Sequence, residues 1–306
     1  MSFRSKIGQV MLTRKYVKNW VSVVFQIFNH NEGTLFLRSG PVIDNVKDPI
    51  ALVNLLSHGW KIEENSDSFI VLKNRDNVKL KCRLKEGYDL GHVLEIFEAE
   101  TYLQSFQNST VIDIGASTAD SSIYFAIKGA REVYGIEPMK ESFDLAVYNV
   151  KINNLESKIH LINAALSNTT GKIELTISTK NPNANSINPT ETVKKGGINF
   201  DSKRVVDSVS LKDIISRYSL SKIDLLKIDC EGCEYSVLQC VEEETLAKIN
   251  NIILEFHDGV QFLADMLKNL GYNVKYEHST GFGILNAFRS AGKADQSLTS
   301  VSNDTV

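Results

Sequence analysis

From residue 110 to residue 288 the chain alternates short apolar runs with longer amphipathic stretches, and this constrains the fold more than any other feature of the sequence. Apolar runs at 110–114, 132–136, 158–162, 223–228 and 251–256 are separated by stretches of helical periodicity at 120–129, 140–153, 210–217, 234–248 and 260–270. Strands this apolar are buried on both faces, as in parallel sheets whose crossovers are helices. Two closing runs, 273–277 and 282–288, flank a Gly-containing turn and read as an antiparallel pair at the sheet edge. The expectation is an α/β fold with a mostly parallel, seven-stranded sheet and an antiparallel edge hairpin.

The first 107 residues of the 306 lack that alternation and are expected to form a smaller α+β accessory region, with the main domain at 108–290 and a polar, disordered tail at 291–306. Residues 34–38 read as a strand. Asp48-Pro49 opens a helix that Gly59 stops. Runs at 68–72 and 78–82 flank a turn-like 74–77 and predict a β-hairpin. Residues 92–107 read as a helix. Residues 5–29 read as one amphipathic helix carrying Arg14, Lys15 and Lys18 before an apolar Trp20–Phe28. Nine apolar residues are too few to span a bilayer, for which about 18–20 are needed. This helix is expected to pack on the main domain, with weak contact to a membrane surface as the alternative. A long polar stretch at 179–203 is expected to be a mobile lid.

Lys plus Arg is 34 against 37 Asp plus Glu, a net charge of −3 that gives no reason to expect nucleic-acid binding. Four cysteines in so long a chain do not make a disulfide scaffold. Reduced thiols and a cytoplasmic location are the expectation. Cys230-Glu-Gly-Cys233 is formally C-x-x-C, but it lacks two further ligands at zinc spacing, so its cysteines read as packing thiols and no metal is expected.

The run 111–122, Val-Ile-Asp-Ile-Gly-Ala-Ser-Thr-Ala-Asp-Ser-Ser, is a buried strand, a tight turn and a helix start. A dinucleotide-binding turn carries G-x-G-x-x-G. Here those positions are Gly115, Ser117 and Asp120, so two glycines are absent and a carboxylate stands where a pyrophosphate would approach. An anionic cofactor is disfavoured and a cationic, phosphate-free one favoured. Glu137 ends the second strand 22 positions after Gly115, the spacing at which an acid reaches a ribose diol. A positively charged nucleoside without phosphate describes S-adenosylmethionine. Its expected contacts are Asp113, Gly115, Ala116, Ser117, Asp120, Ser121, Glu137 and Asp229.

Four blocks then resemble the FkbM family of S-adenosylmethionine-dependent methyltransferases. They are the Val111–Ser122 strand and turn, Gly135-Ile-Glu-Pro138, the run 224–234 with Lys-Ile-Asp-Cys-Glu-Gly-Cys-Glu, and Ile252-Ile-Leu-Glu-Phe-His257. The resemblance covers about 110–290. It implies a class I, Rossmann-like methyltransferase fold and O-methylation of a sugar or another small, hydroxyl-bearing acceptor. The chain departs from the family pattern at Ala119, where glycine is usual, and at Cys230 and Cys233. A Rossmann-type nucleotide-sugar oxidoreductase or epimerase, and a non-catalytic S-adenosylmethionine-binding module, are the competing readings.

The chemical step is expected at the strand ends. Asp229 and Glu231 leave the fourth strand beside the switch in strand order, where open α/β sheets bind ligands. Glu255 and His257 end the fifth, two residues apart and therefore on one face. Asp229 is expected to hold the sulfonium or orient the acceptor, with His257 as the proton acceptor and Glu231 as the competing base.

Overall fold

The structure, a computed structural model, describes residues 3–28, 32–85, 88–99, 101–102, 105–178, 185, 200–231, 233–257, 259–277, 281 and 283–289. The accessory region contains α1 (Phe3–Tyr16), α2 (Trp20–Phe28), β1 (Gly33–Phe36), β2 (Val42–Val46), α3 (Pro49–Ser57), β3 (Lys61–Asn65), β4 (Phe69–Lys73), β5 (Lys79–Arg83) and α4 (Asp89–Phe97). The main domain opens with β6 (Thr110–Ile114), α5 (Asp120–Ile127), β7 (Glu132–Ile136), α6 (Lys140–Ile152) and β8 (Ile159–Ile162). Three further strands follow, β9 (Ala165–Leu166), β10 (Gly171–Ile177) and β11 (Ser202–Val209). It closes with α7 (Leu211–Arg217), β12 (Ile223–Ile228), α8 (Cys233–Cys240), α9 (Glu243–Leu246), β13 (Ile249–Phe256), α10 (Gln261–Asn269), β14 (Asn273–Tyr276) and β15 (Gly283–Phe288).

The main sheet has the order β8-β7-β6-β12-β13-β15-β14. Only β15 runs antiparallel to its neighbours. This is the mostly parallel seven-stranded arrangement expected from the sequence, and its order reverses between β6 and β12. Strand alternation divides the side chains between two cores. Ile112, Ile114, Tyr134, Ile136, Leu226, Ile228, Ile252 and Leu254 pack under α7, α8 and α10. On the other face Val111, Val133, Leu225 and Ile253 join α5, α6 and the accessory region in a single core. The accessory region is therefore continuous with the main α/β domain through Leu52, Ile70, Leu72 and Leu80, each almost completely buried.

Polar contacts seal the same seam. β5 is the outer strand of a three-stranded sheet, and its exposed edge meets α6. There Asn149 behaves as a strand partner. Its Oδ1 accepts from Lys81 N at 2.8 Å and its Nδ2 donates to Lys81 O at 3.2 Å. Asn153 repeats the pattern one turn later on Lys79, at 2.9 and 2.6 Å. Two side chains thus satisfy a sheet edge that would otherwise present unpaired backbone groups.

Several expectations change. The segment 5–29 is two helices, not one. Val17 is fully buried and bridges Leu37, and Lys18 N donates to Phe36 O at 2.7 Å, so tertiary pairing interrupts a segment that has no internal Pro or Gly breaker at that point. The helix expected at 92–107 starts earlier and stops at Phe97; Tyr102 and Phe106 then pack on Tyr124 and Phe125. The stretch 234–248 is two short helices. β2, β3 and the β10-β11-β9 sheet have no counterpart in the sequence reading. Ser202 and Lys203, assigned to the lid, are strand residues paired with Ile177 and Thr176. The rest of that lid, apart from Asn185 and 200–201, lies outside the described residues, as does the tail at 291–306. Among the described residues no helix is long and apolar enough to cross a membrane.

Replacing Asn149 by Ala leaves Lys81 N and O and Thr118 O without their side-chain partner. Chemical denaturation of Asn149→Ala is expected to show a loss of about 1–3 kcal/mol, the cost of leaving buried polar groups unpaired. An unchanged transition midpoint would mean that the seam is held by the apolar core alone.

Candidate active site

The turn after β6 is built for close backbone approach. Gly115 has φ 75°, and a Cβ there would lie 1.7 Å from Asp229 O. No side chain fits. The left-handed conformation recurs at Ser117 (φ 44°) and Ala119 (φ 64°) before α5 starts at Asp120. Ala119 therefore keeps the conformation that glycine adopts most readily, despite its Cβ.

A buried ion cluster fixes this turn against β12. Lys227 is the polar exception in an apolar strand, and its position in register opposite Asp113 puts both on the accessory-region face. Lys227 Nζ lies 3.2 Å from Asp113 Oδ1 and 3.4 Å from Asp229 Oδ2, and donates to Gly115 O at 3.1 Å. Burial alone would lower the pKa of this ammonium; Asp113 and Asp229 reverse that and hold it charged. The other oxygen of Asp113 accepts from Ser121 Oγ at 2.7 Å and Ser122 Oγ at 2.6 Å, which ties down the start of α5. Asp113 is fully buried and does not line the cleft, nor does Ala116. Both lie behind the Gly115 turn.

Glu137 follows β7 and is also buried. Its two oxygens accept from Ser117 N at 3.0 Å and Met139 N at 2.7 Å. Burial pushes its pKa up to about 7 against the lowering effect of those two donors. Each oxygen retains acceptor capacity toward the cleft that Glu137 lines. Gly115, Ser117, Asp120, Ser121, Glu137, Asp229 and Glu231 line one cleft at the carboxyl ends of β6, β7 and β12. Asp120 is 3% exposed, and its Oδ2 has no hydrogen-bond partner among the described residues.

The strand-end acids converge, and His257 meets a carboxylate at each ring nitrogen. It is buried, with Nδ1 3.0 Å from Glu234 Oε1 and Nε2 3.2 Å from Glu231 Oε2. Burial opposes its charge, yet the hydrogen bond and charge of Glu234, then the charge of Glu231, push its pKa up to about 10. The expected proton acceptor thus has a carboxylate at each ring nitrogen, both favouring its protonated form, and it does not line the cleft. Glu231, its side chain 25% exposed, does line the cleft, and burial pushes its carboxyl up to about 7. Glu255 lines the cleft too; burial first and then the charge of Asp229 push it up to about 8. Asp229 moves the other way: the Lys227 ammonium and then His257 outweigh burial and hold it below the usual carboxylate range.

The cysteine expectation is overturned. Cys230 and Cys233 are disulfide-bonded, with Cα atoms 5.4 Å apart. The turn through Glu231, at φ 55°, folds the C-x-x-C back on itself at the start of α8. Spacing alone does not reveal that turn, which depends on the strand end beneath it.

Sequence reasoning missed the cleft's outer wall. His92, Glu95 and Tyr102 reach it from the accessory region, and Asn185 reaches it from the polar stretch. No spacing links these residues to the motifs. Lys227 was legible in principle, since a lysine between Leu226 and Ile228 in a buried strand requires a partner.

Two outcomes are expected here. Lys227→Met leaves Asp113 buried without its cation and should lower unfolding free energy by about 3–5 kcal/mol, read by chemical denaturation. Retained stability would place the fold's anchor elsewhere. Alkylation of the unfolded protein before and after reduction should label two more cysteines in the peptide 228–248 after reduction. Equal labelling would show that Cys230 and Cys233 are thiols in solution.

Residues 113–274 match the family described as Methyltransferase FkbM domain. Methyltransferase sdnD of Sordaria araneosa is 27% identical over 171 residues, which cover 48% of this chain and 66% of that one, so the match spans just under two thirds of that relative. Among solved structures, methyltransferase FkbM from Methylobacillus flagellatus KT is 14% identical with a TM-score of 0.42, over 79% of this chain and 54% of that one. Magnesium protoporphyrin IX methyltransferase from Synechocystis PCC 6803, solved with bound SAM, is also 14% identical, with a TM-score of 0.40 over 65% of this chain and 81% of that one. The family match runs from the Asp113 turn into β14, over more than half of the sequence, and the chain belongs to the FkbM methyltransferase family.

Proposed function

We propose that the protein is an S-adenosylmethionine-dependent methyltransferase acting on a hydroxyl of a small acceptor, with a sugar or other polyol as the preferred class. The observation that carries this is Glu137. It is a buried carboxylate fixed by two backbone donors, it faces the one-glycine turn at Gly115, and its spare lone pairs suit a ribose diol. The cleft around it is lined by Asp120, Asp229, Glu231 and Glu255, and a pyrophosphate would meet their repulsion. That disfavours a nicotinamide dinucleotide. A sulfonium with an α-ammonium group suits the same lining.

In this reading Asp229, anchored by Lys227, faces the sulfonium. The acceptor enters past His92, Glu95 and Tyr102 and meets Glu231 and Glu255. Its hydroxyl oxygen forms a bond to the methyl carbon as the carbon–sulfur bond breaks. The electron pair of that bond stays on sulfur, and the hydroxyl proton passes to the Glu231 carboxylate. His257, held by Glu234, positions Glu231. The exposed side chains of Met11, Val21 and Phe25 on α1 and α2, beside Arg14, Lys15 and Lys18, also support weak contact with an anionic membrane surface.

Titration calorimetry with S-adenosylhomocysteine and with NADH tests the cofactor. Binding of NADH alone would reject the reading. Glu137→Ala should weaken S-adenosylhomocysteine binding by about 1.5–3 kcal/mol, the scale of a hydrogen bond to a charged group. The pH dependence has a definite sign. The diol donates to the ionised carboxylate, so affinity should be constant above about pH 7 and fall as pH drops through about 7. Glu137→Gln should remove that slope. With an acceptor in hand, Glu231→Gln is expected to reduce turnover 10²–10⁴-fold with cofactor affinity unchanged, the usual contribution of a positioned base.

A further inference from the structure

We infer that the ends of β12 and β13 form a divalent-cation site, with Asp229, Glu255 and His257 as ligands and Glu234 as the carboxylate that orients the imidazole. One ligand atom from each of the three lies within 4.8 Å of the other two. An ion with bonds of roughly 2.0–2.3 Å holds its ligand atoms roughly 3–4.5 Å apart, so small side-chain rotations close the set. The residues come from neighbouring parallel strands, which fixes their backbones relative to one another.

A second, independent observation is Glu234. It is wholly buried, Oε1 holds His257 Nδ1, and Oε2 has no hydrogen-bond partner among the described residues. Burying a carboxylate in this way is costly unless it serves a charge. A carboxylate on one ring nitrogen is the arrangement that presents the other nitrogen to a metal. Here that other nitrogen, Nε2, points into the cluster toward Glu231. Among the described residues the ion pairs of Asp229, Glu231 and Glu234 are made with Lys227 and His257, and Lys227 is divided with Asp113.

One imidazole and two carboxylates suit a divalent first-row ion that accepts both nitrogen and oxygen ligands, and Mn²⁺, which favours carboxylate oxygen, is the paramagnetic probe of the set. On binding, the ion replaces the proton on Nε2, which leaves to solvent. A Lewis acid there would favour loss of a proton from a hydroxyl acceptor. That role rests on the hydroxyl reading above; the ion site itself does not.

The test uses the full chain, stripped with a chelator and titrated with Mn²⁺ in the absence of acceptor, by electron paramagnetic resonance. One Mn²⁺ per chain at sub-millimolar concentration is expected, with nitrogen modulation of its echo that changes on ¹⁵N-histidine labelling. Glu255→Gln should weaken binding about 10–100-fold. Glu141→Gln, an exposed acid paired with Arg204, should leave it unchanged. No stoichiometric binding, or binding without histidine nitrogen coupling, overturns the inference. So does equal weakening by both substitutions. The wild-type spectrum decides if a variant misfolds. S-adenosylhomocysteine binding in the same samples separates the two proposals: if it persists without Mn²⁺ binding, the ion site falls alone, and if Mn²⁺ binds without it, the methyltransferase reading falls alone.

Discussion

The Lys227 ammonium is the interaction on which the rest of the site depends. It lies under the sheet's reversal point and joins three things that must not move apart: the end of β6 through Asp113, the cofactor turn through Gly115 O, and the end of β12 through Asp229. A buried charge is stable only when its partners surround it. Here the partners are the residues that shape the cleft, so the requirement for charge balance and the requirement for a rigid turn are met by the same atoms. Asp113 then passes the constraint to α5 through two serine hydroxyls.

Around that anchor the cleft is assembled from both parts of the chain. The inner wall belongs to the strand ends and the outer wall to α4 and the residues after it. The accessory region can contribute His92, Glu95 and Tyr102 reproducibly because it is not hinged on a linker. Its core is continuous with α5 and α6, and the asparagines of α6 complete its β5 edge. Arg83 adds a charged link, pairing with buried Asp89 at 2.7 Å and reaching Ser142 Oγ on α6 at 3.2 Å. The outer wall of the cleft is thus built by the part of the sequence with the fewest recognisable motifs.

The acids at the far ends of β12 and β13 divide by environment. Asp229 stays ionised beside an ammonium, whereas Glu231 and Glu255, more remote from that charge, are pushed toward neutrality by burial. Neighbouring carboxylates with separated proton affinities are what a site needs if it is to hold a cation and also accept a proton. His257 could have supplied the base. With no ion bound, its two carboxylate partners favour the protonated ring instead.

The βα alternation after Thr110 was legible because burial on both faces leaves a parallel strand no option but a run of apolar residues. The Gly115 turn and Glu137 were legible because close backbone approach and a ribose-spaced acid each restrict residue type at a defined position. These features rest on local rules, and the sequence by itself determined them: the sheet, its antiparallel edge and the Gly115–Glu137 side of the cleft. What depended on distant parts of the chain was decided only by the tertiary structure. The break at Val17 comes from pairing with Leu37, the disulfide from the turn over the end of β12, and the outer wall from accessory residues docked on α5 and α6. The protonation of His257 belongs to the same group, because it follows from two carboxylates that lie 23 and 26 residues away in the chain and about 3 Å away in space. Proton affinity follows the local field, and that field exists only once the strands have come together.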